Sequence, residues 1–553
     1  MATEQINVAR RLVAQAEARP EATAIVEPLG RGGDDRPQYG QISFQQLDHD
    51  SDRIAAGLQE MGVRPGTRLA LLVRPGVDFI ALVFGLLKSG AVTILIDPGM
   101  GRESLIQCLS DAEPEGFVAI PPVHAVRSLL RRRFRGARLN VTVGRRWFWG
   151  GTTLARLRDR PWPGTHVADT TAGDPAAIIF TTGSTGPPKG VLFTHGNFEA
   201  QVEQIQSRYG IQPGEVDLPG FPMFGLFNCA MGVTAVIPEM DPSRPAQVDP
   251  RRIVEAATDW EVTQTFGSPA IWNRVGRYAQ QHGVRLPTVR RVLSAGAPVP
   301  VDVLRRMRDC IHPQGEMHTP YGATEALPVA SISASEVLKE TAERTRQGAG
   351  VCVGTRFDRV EWRVVDIVDG PIESIDQARD LPTGGIGELI VRGPQVTPRY
   401  VTRTETNRLA KISDGEGFWH RMGDAGYFDD QGRFWFCGRV AHRVLTTQGP
   451  MYPVCCEAII NEHSGVFRSA LVGVGEPGRH RPVIIVEPQV GQTPGEAPGG
   501  ESLLAEVREL AAGNPRTMGI RDFLLHPAFP VDIRHNAKIF REKLAVWAAE
   551  QVQ

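Results

Sequence analysis

Between Arg68 and Ile96 the chain reads RLALLV, then DFIALVFGLLKSG, then AVTILI. Two short apolar runs bracket one helix-length apolar segment, and strands joined through a single helix pair side by side and parallel. Asp78 stands where it can cap the helix N-terminus and Gly90 where it can end it. The feature commits the chain to an α/β architecture with a parallel sheet. No GxGxxG follows the first strand, so a dinucleotide-binding fold has no support.

A second alternating run extends from about Asp249 to Gly322: RRIVEAATDW as helix, VTQTFGSP as strand, AIWNRVGRYAQQHG as helix, VRRVLSAG as strand, DVLRRMRDCI as helix. From about Gly350 to Cys437 the pattern becomes β-rich, and GYFDDQGRFWFCGR (426–439) reads as a hairpin turning at Asp430-Gln431-Gly432. After Gly438-Arg439 a smaller αβ pattern begins. At 553 residues the chain exceeds what one hydrophobic core supports. The expected organisation is a large domain over 1–438, with α/β subdomains and a β-rich subdomain, and a small α+β domain over 439–553. GQTPGEAPGG (491–500) reads as a flexible loop of the small domain.

Composition excludes several classes. A net charge of −1 gives no global pull toward nucleic acid. The seven cysteines are scattered without CxxC spacing, which suits reduced thiols and a cytoplasmic protein; Cys455-Cys456 reads as two small buried side chains rather than a vicinal disulfide. The N-terminal stretch interleaves Glu4, Glu17 and Glu21 with arginines and lacks the apolar core of a signal peptide. FIALVFGLL (79–87) is too short to span a bilayer. The arginine-rich RSLLRRRFRGAR (127–138) reads as a solvated helix face in preference to a docking patch for acidic partners or membrane.

The chemistry concentrates in TTGSTGPPKG (181–190), preceded by the strand-like AAIIF and followed by the strand-like VLFT, with helix beginning only at HGNFEAQVEQIQ. A Walker A loop runs from strand to helix with GxxxxGK[ST]; here Pro188 replaces the second glycine and Gly190 follows the lysine, so this is no P-loop NTPase. Glycines still let backbone N–H groups converge, hydroxyls donate, and Lys189 adds a point charge, all suited to a polyphosphate.

With this loop, SAGAP (294–298), YGATE (321–325), GELIVRGP (387–394), HRMGDAGYFDDQGRFWFCGR (420–439) and NAKIFREKL (536–544) in that order, the chain resembles the adenylate-forming superfamily of acyl-CoA synthetases, luciferases and peptide-synthetase adenylation domains. The resemblance implies ATP and Mg2+ as cofactors and a mobile small domain. It implies a phosphate loop formed by Thr181, Thr182, Gly183, Ser184, Thr185, Gly186 and Lys189. Gly296, Ala297 and Pro298 would line the adenine pocket, with the Tyr321 ring packed on the base beside Gly322 and Ala323. Thr324 would approach the α-phosphate and Glu325 hold the metal; Asp424 would grip both ribose hydroxyls, Arg439 reach the nucleotide, and Lys538 supply the catalytic cation. A carboxylate with two oxygens suits a vicinal diol, and Glu325 beside phosphates is a good hard-cation ligand.

Within that superfamily, VDLPGFPMFGLF (216–227), VIPEMDPSRPAQVDP (236–250), FGSPA (266–270) and HPAFPVDIRHNAKIFREKLAVW (526–547) resemble the β-lactone synthetases of bacterial long-chain olefin biosynthesis, the OleC type. That resemblance implies adenylation of a 2-alkyl-3-hydroxyalkanoic acid, then attack of its 3-hydroxyl on the activated carbonyl with release of AMP. It implies a pathway reductase and an α/β-hydrolase as partners. The alternative is a long-chain acyl-CoA or acyl-carrier-protein ligase; a catalytically dead nucleotide-binding scaffold is disfavoured by the joint presence of Glu325, Asp424, Arg439 and Lys538. Phe224, Gly225, Phe227, Phe266 and Gly267 are the candidate acyl-pocket residues, Gly225 leaving room for a branched substrate where many relatives carry histidine. Ala441, Leu445 and Ala537 depart from the superfamily pattern at the hinge and tail. His195, His442 and His535 are the candidate bases for the 3-hydroxyl proton, each reading more readily as structural.

Overall fold

The computed structural model describes residues 5–181, 187–221, 224–489, 499–531 and 539–552. The opening βαβ unit is present: strands Arg68–Leu72 and Val92–Leu95 pair in parallel around the helix Val77–Lys88. Gly90 follows that helix with φ +76°, the left-handed stop expected of it. The cap differs from expectation. Gly76 occupies the N-cap, and Glu27 Oε2 accepts the Val77 N–H at 2.8 Å. A Cβ on Gly76 would lie 2.6 Å from that oxygen. Asp78 sits in the first turn instead and pairs with Arg158 at 2.6 Å.

The helix is buried from Phe79 to its end, Lys88 included, whose Nζ meets Asp48 Oδ1 at 2.6 Å and Asp52 Oδ1 at 2.7 Å. A buried ammonium persists only with such pairing.

The unit belongs to a seven-stranded sheet ordered Thr152–Thr153, Val141–Thr142, Gly116–Ala119, Arg68–Leu72, Val92–Leu95, Pro175–Phe180, Gly190–Thr194. All neighbours are parallel except the final pair, which flanks the loop at 181–189. Both strands expected around that loop are therefore present, and the helix His195–Tyr209 follows, its N-terminus closed by a Thr194–Asn197 capping box.

The second alternating run is also as expected: helices Pro250–Asp259, Pro269–His282 and Val301–Cys310 alternate with the parallel strands Gln264–Gly267, Arg291–Ser294 and Glu316–Ala323. Val216–Pro219, Thr234–Val236 and Thr23–Arg31 extend this sheet on one side. On the other it turns antiparallel, through Ala326–Ser333, Val351–Arg356, Phe434–Arg439, Gly417–Phe428, Gly387–Arg392 and Glu361–Val365; with Pro37–Ser43 beside Thr23–Arg31 and Lys411–Asp414 beside Gly417–Phe428 the sheet has fourteen strands. The β-rich region is thus hydrogen-bonded into the second sheet, by the pairs Ala330↔Arg356 and Ser331↔Thr355, rather than set apart from it.

From Val444 onward a two-stranded ribbon and a three-stranded sheet (Val466–Val474, Arg481–Pro488, Asp522–Leu525) pack against helices Pro453–Ile460, Gly499–Ala512 and Arg541–Gln551. Two apolar clusters there draw only on residues from 444 on. A third, around Trp435, Cys437 and Cys455, joins this part to the large sheet. All seven cysteines are free and buried, Cys455 and Cys456 among them. No helix among the described residues is long and apolar enough to cross a membrane.

The arginine-rich stretch is not a helix face. The helix Pro121–Leu129 takes in only Arg127 to Leu129 of it, and 131–138 run through exposed turns pinned by buried Phe134 and Ala137.

Candidate active site

The glycine-rich loop leaves the end of one antiparallel strand and returns on its neighbour, so its two ends are held together by backbone pairing. Thr181 N–H donates to Lys189 O at 3.0 Å, and Lys189 N–H donates to Thr181 Oγ1 at 3.1 Å. Thr182, Gly183, Ser184, Thr185 and Gly186 lie outside the described residues. Gly190 is fixed from below, its N–H donating to Thr402 Oγ1 at 2.8 Å.

Tyr321 to Glu325 form the tip of a hairpin. The strand Glu316–Ala323 carries a bulge between Tyr321 and Ala323, Thr324 and Glu325 make the turn, and the chain returns as Ala326–Ser333. Gly322 is required at the bulge, since a Cβ there would meet Ala326 O at 2.7 Å. Asp424 and Arg439 face each other directly on neighbouring strands. Arg439 Nη1 donates to Asp424 Oδ1 at 2.6 Å and to Met422 O at 3.0 Å, and the Tyr321 hydroxyl donates to Asp424 Oδ2. Tyr321, Asp424 and Arg439, spread over 118 positions of sequence, are one cluster. The Asp424 charge raises the Arg439 pKa, while burial and then Asp424 hold the Tyr321 phenol well above its ordinary value.

Three residues that no motif marked converge behind Glu325. The Tyr400 hydroxyl donates to Glu325 Oε1 at 2.6 Å, and Lys189 Nζ stands 4.8 Å over the Tyr400 ring, joining the glycine loop to the hairpin through one aromatic side chain. Thr397 N–H and Oγ1 both donate to Glu325 O at 2.9 Å. Lys411 Nζ donates to Thr397 O, and burial pulls its amine down to about 7 against the opposing pull of Glu325. Opposite Lys411 in register is His420, which burial and then Lys411 hold well below the usual histidine range, so it is neutral. Among the described residues no three His, Cys, Asp or Glu side chains converge on a metal position. A cation here would rest on Glu325 together with phosphate oxygens and water, a donor set that Mg2+ accepts.

Gly296, Ala297 and Pro298 form the turn leaving the strand Arg291–Ser294, and Ala295 N–H contacts Gly267 O at 3.4 Å on the adjacent strand. Phe224 stacks on Phe266 with centroids 3.6 Å apart at 16°, and Phe227 is buried beside Phe224. The two glycines have packing reasons that the sequence hid. A Cβ on Gly225 would meet Ile80 Cδ1 at 2.8 Å, so the space it leaves is filled by the opening helix and not by a branched substrate. A Cβ on Gly267 would meet the Trp272 indole at 2.8 Å. Beneath them Asp217 is fully buried: Asn228 Nδ2 donates to its Oδ2 at 2.5 Å, Oδ1 has no partner, and burial raises its carboxyl to about 7.

Of the candidate bases, His195 is sealed in the core, its Nδ1 taking the Val8 N–H at 3.4 Å and its pKa lowered to about 4 by burial. That burial agrees with the structural reading of His195 over a role as base. His442 contacts Glu542 Oε1 at 3.2 Å in the segment entering the C-terminal part. His535 and Lys538 lie outside the described residues.

The arrangement offers a carboxylate with a guanidinium and a phenol on it, a second carboxylate at a hairpin tip, and a lysine-bearing glycine loop beside that tip. Sequence comparison is concordant. The family model described as AMP-binding enzyme matches residues 12–401. The chain is 48% identical to the olefin beta-lactone synthetase of Xanthomonas campestris, covering 99% of this chain and 98% of that protein. It is also 48% identical to the protein of the same name from Stenotrophomonas maltophilia, over 99% of each. Among solved structures, ATP-bound MatB from Rhodopseudomonas palustris superposes with a TM-score of 0.78 at 21% identity, over 100% of both chains.

Proposed function

The chain belongs to the family of AMP-binding enzymes, and from that premise we propose that it is an ATP-dependent β-lactone synthetase acting on 2-alkyl-3-hydroxyalkanoic acids in olefin biosynthesis. The observation that carries the reading is 48% identity, sustained over 99% of the chain, to olefin beta-lactone synthetases. The convergence of Tyr321, Asp424 and Arg439, and of Lys189 with Glu325 through Tyr400, supports it.

In this reading the organisation is a nucleotide- and substrate-binding domain over 1–438 and a lid domain over 439–553. ATP lies along the hairpin, with adenine between Tyr321 and the turn at Gly296, Ala297 and Pro298, and with its ribose on Asp424. The phosphates lie toward Lys189, with 182–186 assigned as the phosphate loop, and Thr324 approaches the α-phosphate. Glu325 would hold Mg2+, which when bound would offset phosphate charge. The substrate carboxylate attacks the α-phosphorus, pyrophosphate leaves, and Lys538 stabilises the charge gathered between them. The 3-hydroxyl oxygen then attacks the acyl carbon, loses its proton, and expels AMP as the four-membered ring closes. Phe224, Phe227 and Phe266 keep water from the mixed anhydride, and intramolecular attack needs only a held geometry. The seven buried free thiols suit a cytoplasmic setting, in company with the pathway reductase and α/β-hydrolase.

The test is mass spectrometry of the product formed from a synthetic 2-alkyl-3-hydroxy acid, ATP and Mg2+ with no thiol present. A β-lactone with stoichiometric AMP and pyrophosphate is expected. Product formation only when coenzyme A or a carrier thiol is added would refute the lactone reading in favour of a ligase.

A further inference from the structure

From Gly116 to Arg158 the chain contains ten arginines and no aspartate or glutamate, within a protein whose net charge is −1. Elsewhere arginines are routinely paired: Arg31 contacts Asp35, Glu239 and Glu255, and Arg392 contacts Glu361 and Asp414. Of these ten, only Arg158 has a carboxylate within ion-pairing distance among the described residues. Arg131, Arg132, Arg133, Arg135 and Arg138 are exposed in the turns after the helix Pro121–Leu129. Arg145 and Arg146 are exposed on the neighbouring loop. An unneutralised cluster of this size is a strong local field despite the near-neutral total.

The same segment carries the most exposed large apolar side chains described: Leu129 at 84% and Phe148 at 80%, with Trp147 at 57% and Val126 at 46%. The loop holding Trp147 and Phe148 is anchored, since Trp149 between them and the body is buried, stacks near His124, and donates to Thr142 Oγ1 at 2.9 Å. Trp147 and Phe148 are therefore held outward by a fixed base. Side chains four-fifths exposed project from a surface; they do not line a groove that would receive a peptide or a partner helix.

We propose that this face docks the protein on an anionic lipid surface, the arginines meeting phosphate headgroups while Trp147, Phe148 and Leu129 enter the interfacial layer. Projecting aromatics beside unpaired guanidinium groups match the interfacial zone of a bilayer, which takes rings at headgroup depth and attracts basic clusters. A structured acidic protein would have to form pockets for each projecting side chain. The face lies at the edge of the seven-stranded sheet marked by Val141–Thr142 and Thr152–Thr153, while the glycine loop leaves the opposite edge. Docking therefore leaves the nucleotide loop clear. The proposal rests on the surface alone and stands independently of the reaction.

Sedimentation of the full-length protein with vesicles tests it. At about 0.1 M salt, where screening is modest, the protein should pellet with phosphatidylglycerol–phosphatidylethanolamine vesicles. It should stay soluble with phosphatidylcholine alone and come off the anionic vesicles at high salt. The variant R131Q/R132Q/R133Q should partition about 10²-fold more weakly. W147S/F148S, which leaves the charge intact, should lose roughly tenfold or more. Both should keep the wild-type circular dichroism and melting point, since every altered side chain is solvent-exposed. Wild-type protein that ignores anionic vesicles overturns the proposal, as does equal partitioning of wild type and both variants. Retention on immobilised polyglutamate without vesicle binding would assign the face to an acidic protein partner instead.

Discussion

Asp217 is the buried group whose protonation can be read most directly as stability. Its carboxyl is held at about 7 in the folded chain against 3.8 for the free side chain, with burial as the leading cause. Between those values the folded state binds more protons than the unfolded state, so stability falls as pH rises through the window and the loss is complete above the folded pKa. At about 1.36 kcal/mol per unit the whole window is worth about 4 kcal/mol. Between about pH 5 and pH 8 the wild type should lose about 2–3 kcal/mol from this residue. Asp217→Asn keeps an oxygen for Asn228 Nδ2 and has no proton to release. Its amide nitrogen would lie where Oδ1 already lacks a partner, a cost of about 1–3 kcal/mol that does not vary with pH. The readout is accordingly the pH dependence of the difference between variant and wild type in thermal melting of the ligand-free protein. The variant should gain on the wild type by about 2–3 °C as pH is raised from about 5 to 8. A difference that stays flat, or that favours the wild type at the higher pH, would show that the carboxyl is ionised and solvated and that the burial argument is wrong.

Lys411→Met should behave with the opposite sign. The folded amine, at about 7, loses its proton before the unfolded one at 10.5, so the burial penalty is full below the first value and fades toward the second. The wild type should therefore gain on the variant between about pH 7 and 10 by about 2 kcal/mol or more once solvent reaching the amine from the cleft is allowed for; a pH-independent gap in melting points refutes this. Tyr400→Phe removes the hydroxyl from Glu325 Oε1 and should lower kcat/KM for adenylation by about 10–10²-fold, chiefly as a raised Mg2+ requirement. An unchanged Mg2+ titration would detach Glu325 from the metal. Gly225→Ala presses on Ile80 and should destabilise by about 1 kcal/mol with acyl-chain preference unaltered; altered chain preference at unchanged stability would return Gly225 to the substrate pocket.

How legible the site was depends on whether each residue's neighbours travel with it along the chain. The strands around the glycine loop and the hairpin ending at Arg439 carry local turn chemistry and could be read from spacing, whereas Tyr321 to Glu325 and Asp424 were marked only by the family resemblance. Tyr400 and Lys411 reach Glu325 only through tertiary pairing, and no short-range pattern announces them. Gly225 was misread because its reason is Ile80, on a helix far upstream; a glycine explains itself only once the atom facing it is known. Asp78 yielded the cap because Glu27, from a distant strand, fills the helix end first. The arginine stretch was misread for a physical reason too: buried Phe134 and Ala137 fix turns there, and the exposed charges follow the turns.

With Asp424 proposed as the ribose site, its resting contacts carry a consequence for nucleotide selection. Both carboxylate oxygens are already engaged at rest, one by a guanidinium and the other by a phenol. A sugar arriving there competes with resident donors and does not meet a bare anion, so the affinity it gains is a difference between two hydrogen-bonded states. A lone hydroxyl, as on a deoxy sugar, offers little that Tyr321 does not already supply; only a pair of adjacent hydroxyls improves on the resting arrangement.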